Sequence, residues 1–297
     1  MNKSDRLGKL FSAVGAKDWD FAVSVAEEIC AHEENVGHTT VARLLRSSLR
    51  SKPNGKLNGT PNSMVVSTAL KRLRSKEKLD DVYLRNSCKV SIENFVAEWK
   101  IRDQILAKQL PLRSKVLLHG PPGCGKSLTA VAIGNELDLP VYMVRFDAVI
   151  GSYLGQTAMN LRQVFQFAEM TPCVIVFDEL DALGKKRGNP LDVGELDRIV
   201  ISLMQELEHS HPAGIIVATS NLPKHLDHAL WRRFDLVQEF PKPSKAEMKR
   251  FAASVAKRHD TKLTASVAGL VEKCKSFAEV EQQVQDAARR LLLKRSR

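Results

Sequence analysis

One eight-residue segment constrains the fold of this chain more than any other. The sequence GPPGCGKS at residues 120–127 contains the full pattern G-x-x-x-x-G-K-[S/T], and it lies between a short apolar run and a segment with helical spacing. Glycines let the backbone wrap around phosphate groups, so that its N–H groups and the positive helix N-terminus face the anion. The segment therefore predicts a phosphate-binding loop between a strand and a helix.

This loop predicts a nucleotide site in which each residue type has a role. We expect Lys126 to reach the β- and γ-phosphates and Ser127 to ligate Mg²⁺. A chance glycine-rich turn would not require the strand, the Lys-Ser pair and the helix to occur together. The predicted cofactors are ATP and Mg²⁺, and the predicted nucleotide contacts are Gly120, Pro121, Pro122, Gly123, Cys124, Gly125, Lys126, Ser127 and Leu128.

A second segment, VIVFDE at residues 174–179, complements the loop. A buried apolar strand would deliver Asp178 to its carboxyl end, where the carboxylate can hold Mg²⁺. Glu179 beside it can polarise the attacking water. An acidic pair at a strand end can also be a solvated turn, but its combination with the phosphate loop favours catalysis. The sequence thus predicts an enzyme that hydrolyses ATP to ADP and phosphate.

Hydrophobic periodicity predicts an α/β fold. Short β-branched apolar runs at residues 116–118, 141–144, 174–177 and 215–218 alternate with helical segments, which is typical of a parallel sheet buried on both faces. After residues 241–243 the chain is expected to be helical to its end. We therefore expect a P-loop parallel sheet sandwiched by helices, preceded by a helical N-terminal region and followed by a small helical lid.

Composition divides the chain into four predicted regions. Residues 1–50 are expected to be helical and to recognise a partner or substrate. Residues 51–88 are expected to be a basic linker region, in which the Pro-, Gly- and Asn-rich stretch 51–63 is flexible and residues 65–76 form a basic helix. Residues 89–240 would form the large nucleotide-binding domain, and residues 241–297 the lid.

The net charge of +11 is concentrated outside the predicted enzyme core. Residues 43–78 carry ten Lys or Arg and one Glu, and residues 289–297 carry five basic residues and no acidic one. Such runs can contact nucleic acid, anionic lipid or an acidic partner, or can simply be solvated. The five dispersed cysteines and the absence of a long apolar run fit a cytoplasmic protein without a membrane partner.

Four segments in this order resemble the AAA ATPases. They are GPPGCGKS at 120–127, DELDALGKKRG at 178–188, ATSNLP at 218–223 and LDHALWRRFD at 226–235, and the resemblance covers about residues 89–297. It implies a homo-oligomer, most often a hexameric ring, in which each nucleotide site is completed by a neighbouring subunit.

The same resemblance implies further catalytic residues. Asn221 is similar to the sensor-1 residue that orients water against the γ-phosphate. Arg232 and Arg233 match the arginine fingers that reach a neighbour's nucleotide and stabilise charge on the transferring phosphoryl group. The two arginines are adjacent here, whereas many relatives separate them by a short insertion. Arg233, directly before Phe234, is the first candidate for the finger.

Two other segments resemble parts of protein-remodelling relatives. In GSYLG at residues 151–155, Tyr153 with Leu154 beside it would form a pore loop that grips an extended polypeptide, although a core tyrosine is the alternative. Residues 276–290 are similar to the lid helix that follows the sensor-2 site. Relatives have Gly-Ala where this chain has Ala278 and Glu279, and no arginine occupies the position, which weighs against a DNA-loading role.

Together these implications favour a cytoplasmic, oligomeric ATPase that remodels or unfolds a protein target. Regulatory partnership with a protease is one form that this role takes in relatives of similar size. The alternative is a nucleic-acid-coupled AAA+ ATPase, which the basic linker and tail would serve. A non-enzymatic, nucleotide-gated scaffold is disfavoured because Glu179 and Arg233 are present.

Overall fold

The computed structural model describes residues 8–9, 12, 19–35, 64–150, 156–182, 190–222, 226–260 and 265–295. The chain divides into two compact units, residues 1–57 and 58–297. In the first unit, helix α1 (Trp19–Asn35) has buried side chains at Val25 and Cys30. Most other positions predicted to be helical in residues 1–50, and the predicted linker 51–63, lie outside the described residues.

The second unit contains a six-stranded sheet. Its strands are β1 (Leu70–Leu73), β2 (Lys115–His119), β3 (Val141–Val144), β4 (Val174–Phe177), β5 (Ile215–Ser220) and β6 (Leu236–Glu239). The strand order is β1-β3-β4-β5-β2-β6, and β2 to β6 pair in parallel. The predicted α/β fold with a parallel sheet is confirmed, and β1 adds an antiparallel edge to it.

Strand β1 corrects the prediction of a basic helix over residues 65–76. Helix α2 (Met64–Ala69) ends at residue 69, and the chain then pairs with β3, with Leu70 opposite Val144 and Leu73 opposite Val141. Pairing with an existing sheet edge overrides a weak local helix preference. The sheet therefore includes residues that lie before the predicted domain boundary at 88/89.

Every residue of β4 is buried, because helices cover both faces of the sheet. Ile175 and Phe177 belong to the cluster on one face, and Val174 and Val176 to the cluster on the other. The first cluster is completed by α2, α7 (Gln156–Met170) and α8 (Pro190–His209). The second is completed by α3 (Asn86–Lys100) and α5 (Lys126–Glu136). Shorter helices connect these elements: α4 (Arg102–Ala107), α6 (Phe146–Val149) and α9 (His228–Trp231).

The predicted helical lid follows the sheet. It consists of α10 (Lys245–Arg258), α11 (Ala265–Val271) and α12 (Phe277–Arg295). Its core includes Val255, Val280 and Val284, which are fully buried. Within the described part of the chain, no helix combines the length and hydropathy needed to cross a membrane.

A short segment, residues 79–85, joins the lid to the sheet domain and is called the strap below. Leu79 and Val82 are buried in the sheet domain, whereas the Tyr83 ring packs against the lid rings of Phe251 and Phe277 at centroid distances of 5.6 and 4.9 Å. The strap therefore contributes side chains to two hydrophobic cores.

The strap also carries an ion pair to the lid. Arg85 donates two hydrogen bonds of 2.9 Å to the two carboxylate oxygens of Glu247. Ser244, the N-cap of α10, donates its backbone N–H and its hydroxyl to the same carboxylate at 2.8 and 2.7 Å. The Arg85 guanidinium and the Ser244 donors lower the pKa of Glu247 to about 2. The carboxylate thus stays ionised in the folded protein.

Candidate functional site

The predicted phosphate loop connects β2 to α5. Gly120, Gly123 and Gly125 have φ angles of 141°, 69° and 94°, a region that favours glycine. A Cβ on Gly120 would lie 2.0 Å from the carbonyl oxygen of Phe240, and one on Gly123 would lie 2.8 Å from Ser276 Oγ. The loop is therefore tightly wrapped, with the end of β6 on one side and the start of the lid helix α12 on the other.

Lys126 begins helix α5 and turns back towards the loop. Its side chain is almost completely buried, and Nζ donates hydrogen bonds of 2.8 Å to the carbonyl oxygens of Gly120 and Pro121 and to Oδ1 of Asn221. Burial lowers the pKa of Lys126, while the carboxylates of Asp178 and Asp181 oppose that effect. The ammonium group is thus held by neutral oxygens that phosphate oxygens can replace.

Asp178 follows β4 and forms the candidate metal position with Ser127. The hydroxyls of Ser127 and Thr219 each donate a hydrogen bond of 2.6 Å to Asp178 Oδ1. Hydroxyl and carboxylate oxygens suit Mg²⁺, which usually takes few protein ligands and keeps water and phosphate ligands. Among the described residues, no group of three His, Cys, Asp or Glu side chains could hold a metal alone. The donor set therefore fits a nucleotide-bound Mg²⁺.

Glu179 has an unusual backbone conformation for its residue type. Its φ is +54°, a left-handed conformation that costs about 1–2 kcal/mol for a residue with a side chain. Its N–H donates to Thr219 Oγ1 at 2.9 Å, and its carboxylate accepts from Asn221 Nδ2 at 3.0 Å. The turn directs an exposed carboxylate into the site, where it can accept a proton from water.

Asn221 contacts both the Lys126 ammonium group and the Glu179 carboxylate. Its side-chain oxygen accepts from Lys126 and its amide donates to Glu179. Its backbone N–H donates to Asp181 Oδ1 at 2.8 Å, which fixes the residue at the end of β5. The residue predicted to orient water therefore lies between the phosphate loop and the carboxylate of Glu179.

These groups line one open pocket of about 240 Å³. Its lining residues are Pro122, Gly123, Gly125, Lys126, Ser127, Leu128, Asp178, Glu179, Thr219 and Asn221. Of the other predicted contacts, Gly120 and Pro121 offer carbonyl oxygens to Lys126, as described above. Cys124 instead lines a separate small cavity with strap residues, and burial raises the pKa of its thiol.

Sequence reasoning missed two residues of the site. Thr219 accepts from the Glu179 N–H and donates to Asp178, and Asp181 anchors the backbone of Asn221. A polar residue within the buried apolar strand IIVATS is the signal that could have identified Thr219. The signal for Asp181 is weaker, because an acidic residue in a turn is common.

The predicted arginines lie outside this pocket. Arg232 and Arg233 follow α9, and Arg233 donates to the carbonyl oxygen of Ala229 at 2.6 Å and to Glu208 Oε2 at 2.8 Å. The Arg232 side chain is exposed. The predicted pore-loop residues Tyr153 and Leu154 lie outside the described residues.

Comparisons with known proteins match the part of the chain that contains this pocket. The model of the ATPase family associated with various cellular activities (AAA) matches residues 116–242. The uncharacterized AAA family ATPase y4kL of Sinorhizobium fredii is 34% identical over 303 residues, which cover 99% of this chain and 91% of the relative.

Shorter matches link the chain to parts of larger ATPases. The peroxisomal ATPase PEX6 of Cricetulus griseus is 37% identical over 169 residues, which cover 54% of this chain and 17% of the relative. PEX6 of Arthrobotrys oligospora is 42% identical over 144 residues, which cover 45% of this chain and 12% of the relative. The match therefore spans less than a fifth of these PEX6 proteins.

Proposed function

Because this chain belongs to the AAA family of ATPases, which hydrolyse ATP, we propose that it works as a homo-oligomeric ring, a hexamer, that remodels or unfolds a protein target. The charge of the pocket is the observation that supports an oligomer. Among the described residues that line it, Lys126 is the one with a cationic side chain. A transferring phosphoryl group develops charge that AAA-type sites neutralise with a further arginine. A neighbouring subunit is the natural source of that arginine.

The residues of the pocket divide the chemistry among them. Lys126 and the loop N–H groups would bind the β- and γ-phosphates, and Ser127 and Asp178 would hold Mg²⁺. The metal ion, when bound, neutralises phosphate charge. Glu179 would accept the proton of the attacking water, and Asn221 would orient that water. Asn221 contacts both Lys126 and Glu179, which would place that water beside the carboxylate that accepts its proton.

Complementation between defective subunits tests the shared site. Protein with Arg232→Ala and Arg233→Ala keeps its own pocket, and protein with Lys126→Ala keeps its arginines. Each should be inactive alone, and mixing them should restore part of the turnover. The matched control is protein carrying all three substitutions, which can supply nothing to the double variant. Absence of recovery, with assembly confirmed by light scattering, would contradict the shared site.

The target class is supported by the segment GSYLG at residues 151–155. We propose that Tyr153 and Leu154 contact an extended polypeptide at the ring axis and that residues 1–50 select this polypeptide. The protein would act in the cytoplasm, and it would regulate a protease where one is present. Tyr153→Ala should keep basal ATPase activity and assembly while losing unfolding of a tagged substrate; Tyr153→Phe is the matched control. An unfolded Tyr153→Ala protein would show that the residue belongs to the core.

Nucleic acid is a second candidate partner. Lys71, Arg74, Lys76 and Lys78 are exposed on and after the edge strand β1, and such a run attracts phosphate backbones. Charged residues also keep sheet edges from pairing with other chains. DNA-stimulated hydrolysis that weakens steeply with salt would favour this candidate, whereas unchanged turnover in the presence of DNA would reject it.

A further inference from the structure

We infer that Tyr83, in the strap, positions the phosphate loop for ATP without lining the pocket itself. Its ring packs against Phe277, the first residue of the lid helix α12, and the next residue, Ala278, is hydrogen-bonded to the loop. Tyr83 is thus a positioning residue for nucleotide binding. It acts on the pocket of its own subunit, so this role does not depend on ring formation.

The start of α12 holds one peptide of the phosphate loop. The Ala278 N–H donates to the carbonyl oxygen of Gly123 at 3.2 Å. Because a peptide unit is planar and trans, a fixed Gly123 carbonyl also fixes the N–H of Cys124. Ser276 packs against the same glycine, since a Cβ on Gly123 would lie 2.8 Å from its Oγ. The position of the lid helix therefore determines the orientation of a loop peptide.

Side-chain hydrogen bonds hold the first turn of α12 together. Ser276 Oγ accepts from the Glu279 N–H at 3.3 Å, as a hydroxyl at a helix start commonly does. Glu279 Oε2 in turn accepts from the Lys275 N–H at 2.8 Å. Because these bonds make the turn a unit, a displacement of Phe277 would carry Ala278 with it.

Three aromatic rings determine where this turn lies. The centroid of the Tyr83 ring is 4.9 Å from that of Phe277 and 5.6 Å from that of Phe251, and the two phenylalanine centroids are 5.0 Å apart. The angles between the rings are 58° to 64°, and aromatic pairs favour such inclined contacts. Phe251 and Phe277 both belong to the lid, so Tyr83 is the ring that the strap supplies. Its removal would leave a gap beside Phe277.

The strap can position Phe277 because it is anchored on the sheet domain. Leu79 and Val82 are buried in that core. Val82 also lies beside the phosphate loop, since a Cβ on Gly125 would be 3.6 Å from Val82 Cγ1. The backbone at Val82 is extended, with φ −92° and ψ 124°, so that successive side chains point in opposite directions. Val82 therefore faces the loop and the sheet core, and Tyr83 faces the lid.

Removal of the Tyr83 ring should weaken ATP binding without slowing the hydrolysis of bound ATP. In Tyr83→Ala the ion pair of Arg85 with Glu247 still attaches the lid, but Ala278 is held against Gly123 for less of the time. Apparent affinity falls with the populated fraction of the competent arrangement, so the Kd of a fluorescent ATP analogue and KM should both rise about tenfold. The kcat at saturating ATP should not change, because the lost binding is shared by ground state and transition state. Tyr83→Phe keeps the ring and should bind ATP like the wild type.

Val271→Ala is the matched control. Val271 lies on α11 in the lid core, is 2% exposed and is not one of the three rings, so its truncation weakens the lid core elsewhere. Thermal melting should show that both alanine variants fold, and Tyr83→Ala alone should lose affinity. Hydrogen exchange of the Ala278 amide is an independent measurement. It should be faster in Tyr83→Ala and should match the wild type in Tyr83→Phe and Val271→Ala.

Wild-type affinity in a folded Tyr83→Ala protein would overturn the positioning role. An equal loss of affinity in Val271→Ala would overturn it too, because the pocket would then need only an intact lid core. If Tyr83→Ala does not fold, Tyr83→Leu fills much of the space without a ring, and the same rise in KM at constant kcat is expected of it. ATP binding by Lys126→Ala would instead refute the pocket itself, so the two failures are distinguishable.

Discussion

Lys126, Asn221 and Glu179 form a continuous chain of hydrogen bonds, in which one amide contacts both a cation and a carboxylate. Lys126 Nζ also donates to the carbonyl oxygens of Gly120 and Pro121, so a γ-phosphate oxygen could replace any one of these three acceptors. The Asn221 amide contacts one oxygen of the Glu179 carboxylate, and the second oxygen could still accept from a water molecule. At the residue scale, Asn221 therefore fixes the side chains of Lys126 and Glu179 relative to each other.

Substitution of the two charged residues should separate binding from hydrolysis. Lys126→Ala should abolish ATP binding, because the phosphates lose the cation that faces them. Glu179→Gln should bind ATP and not hydrolyse it, because the amide cannot accept a proton. A fluorescent ATP analogue measures binding, and phosphate release measures turnover. Wild-type turnover in Glu179→Gln would contradict the catalytic role of this carboxylate.

Thr219 provides a second prediction at this scale. Thr219→Val keeps the shape of the side chain but removes the hydroxyl that bonds Asp178 and the Glu179 N–H. The Glu179 turn and the Asp178 carboxylate each lose a hydrogen bond that positions them, and because misplaced groups cost up to about 10²-fold, kcat should fall by up to about that factor. Thr219→Ser restores the hydroxyl and should keep most of the activity. Equal activity of the Val and Ser variants would show that the hydroxyl is dispensable.

At the element scale, the capping residues of α10 and the strap hold the lid in place. The carboxylate of Glu247 accepts from Ser244, within its own helix end, and from Arg85, in the strap. Tyr83, two residues before Arg85, packs against two lid rings. Because Ser276 and Ala278 of the lid also lie against Gly123, the orientation of the lid bears directly on the phosphate loop.

The ion pair predicts a defined pH dependence of stability. The pKa of Glu247 is lowered from 4.5 to about 2, so its contribution is present above pH 4.5 and is lost as the pH falls towards 2. Glu247→Gln should destabilise the protein by about 1.5–3 kcal/mol at neutral pH, and the difference from wild type should shrink between pH 4.5 and 2. Urea unfolding at several pH values measures it.

Glu272 offers a control for this measurement. Its ion pair with Lys249 is more than half exposed on both sides, and such surface pairs contribute less than about 1 kcal/mol. Glu272→Gln should therefore change stability little at any pH. A Glu247→Gln effect of the same small size, or one that does not depend on pH, would show that the strap ion pair does not hold the lid.

The contrast between the site and β1 shows what a sequence can specify. Phosphate chemistry requires particular residue types at fixed spacing, so GPPGCGKS and VIVFDE predicted the positions of Lys126 and Asp178 directly. Strand β1 has only four residues, LKRL, and it becomes a strand because β3 lies beside it, about seventy residues later in the chain. Likewise, the pairing of Arg233 with Glu208 depends on how α9 packs against α8. Contacts between distant segments leave no local pattern.

At the scale of the whole molecule, truncation should locate the start of the ATPase unit. Protein lacking residues 1–63 should fold and hydrolyse ATP, but should lose target binding if residues 1–50 select the target. Protein lacking residues 1–88 should not fold, because it loses Val66, Leu70, Leu79 and Val82 from the core. Burial of four such side chains is worth about 6–12 kcal/mol, comparable with the total stability of a domain.

Circular dichroism, ATPase assays and substrate binding compare the two truncated proteins with the full chain. A folded, active protein made of residues 89–297 would contradict the structural role of β1 and the strap. A folded but inactive protein made of residues 64–297 would instead show that the preceding residues assemble the ring.

Because β1 runs antiparallel to β3, its direction also determines where another domain could be fused to the chain. Leu70 lies opposite Val144, the last residue of a parallel strand, so β1 begins at the end of the sheet that carries Asp178 and Asn221. A heterologous binding domain spliced ahead of Met64 would be joined to this end of the sheet through the six-residue helix α2.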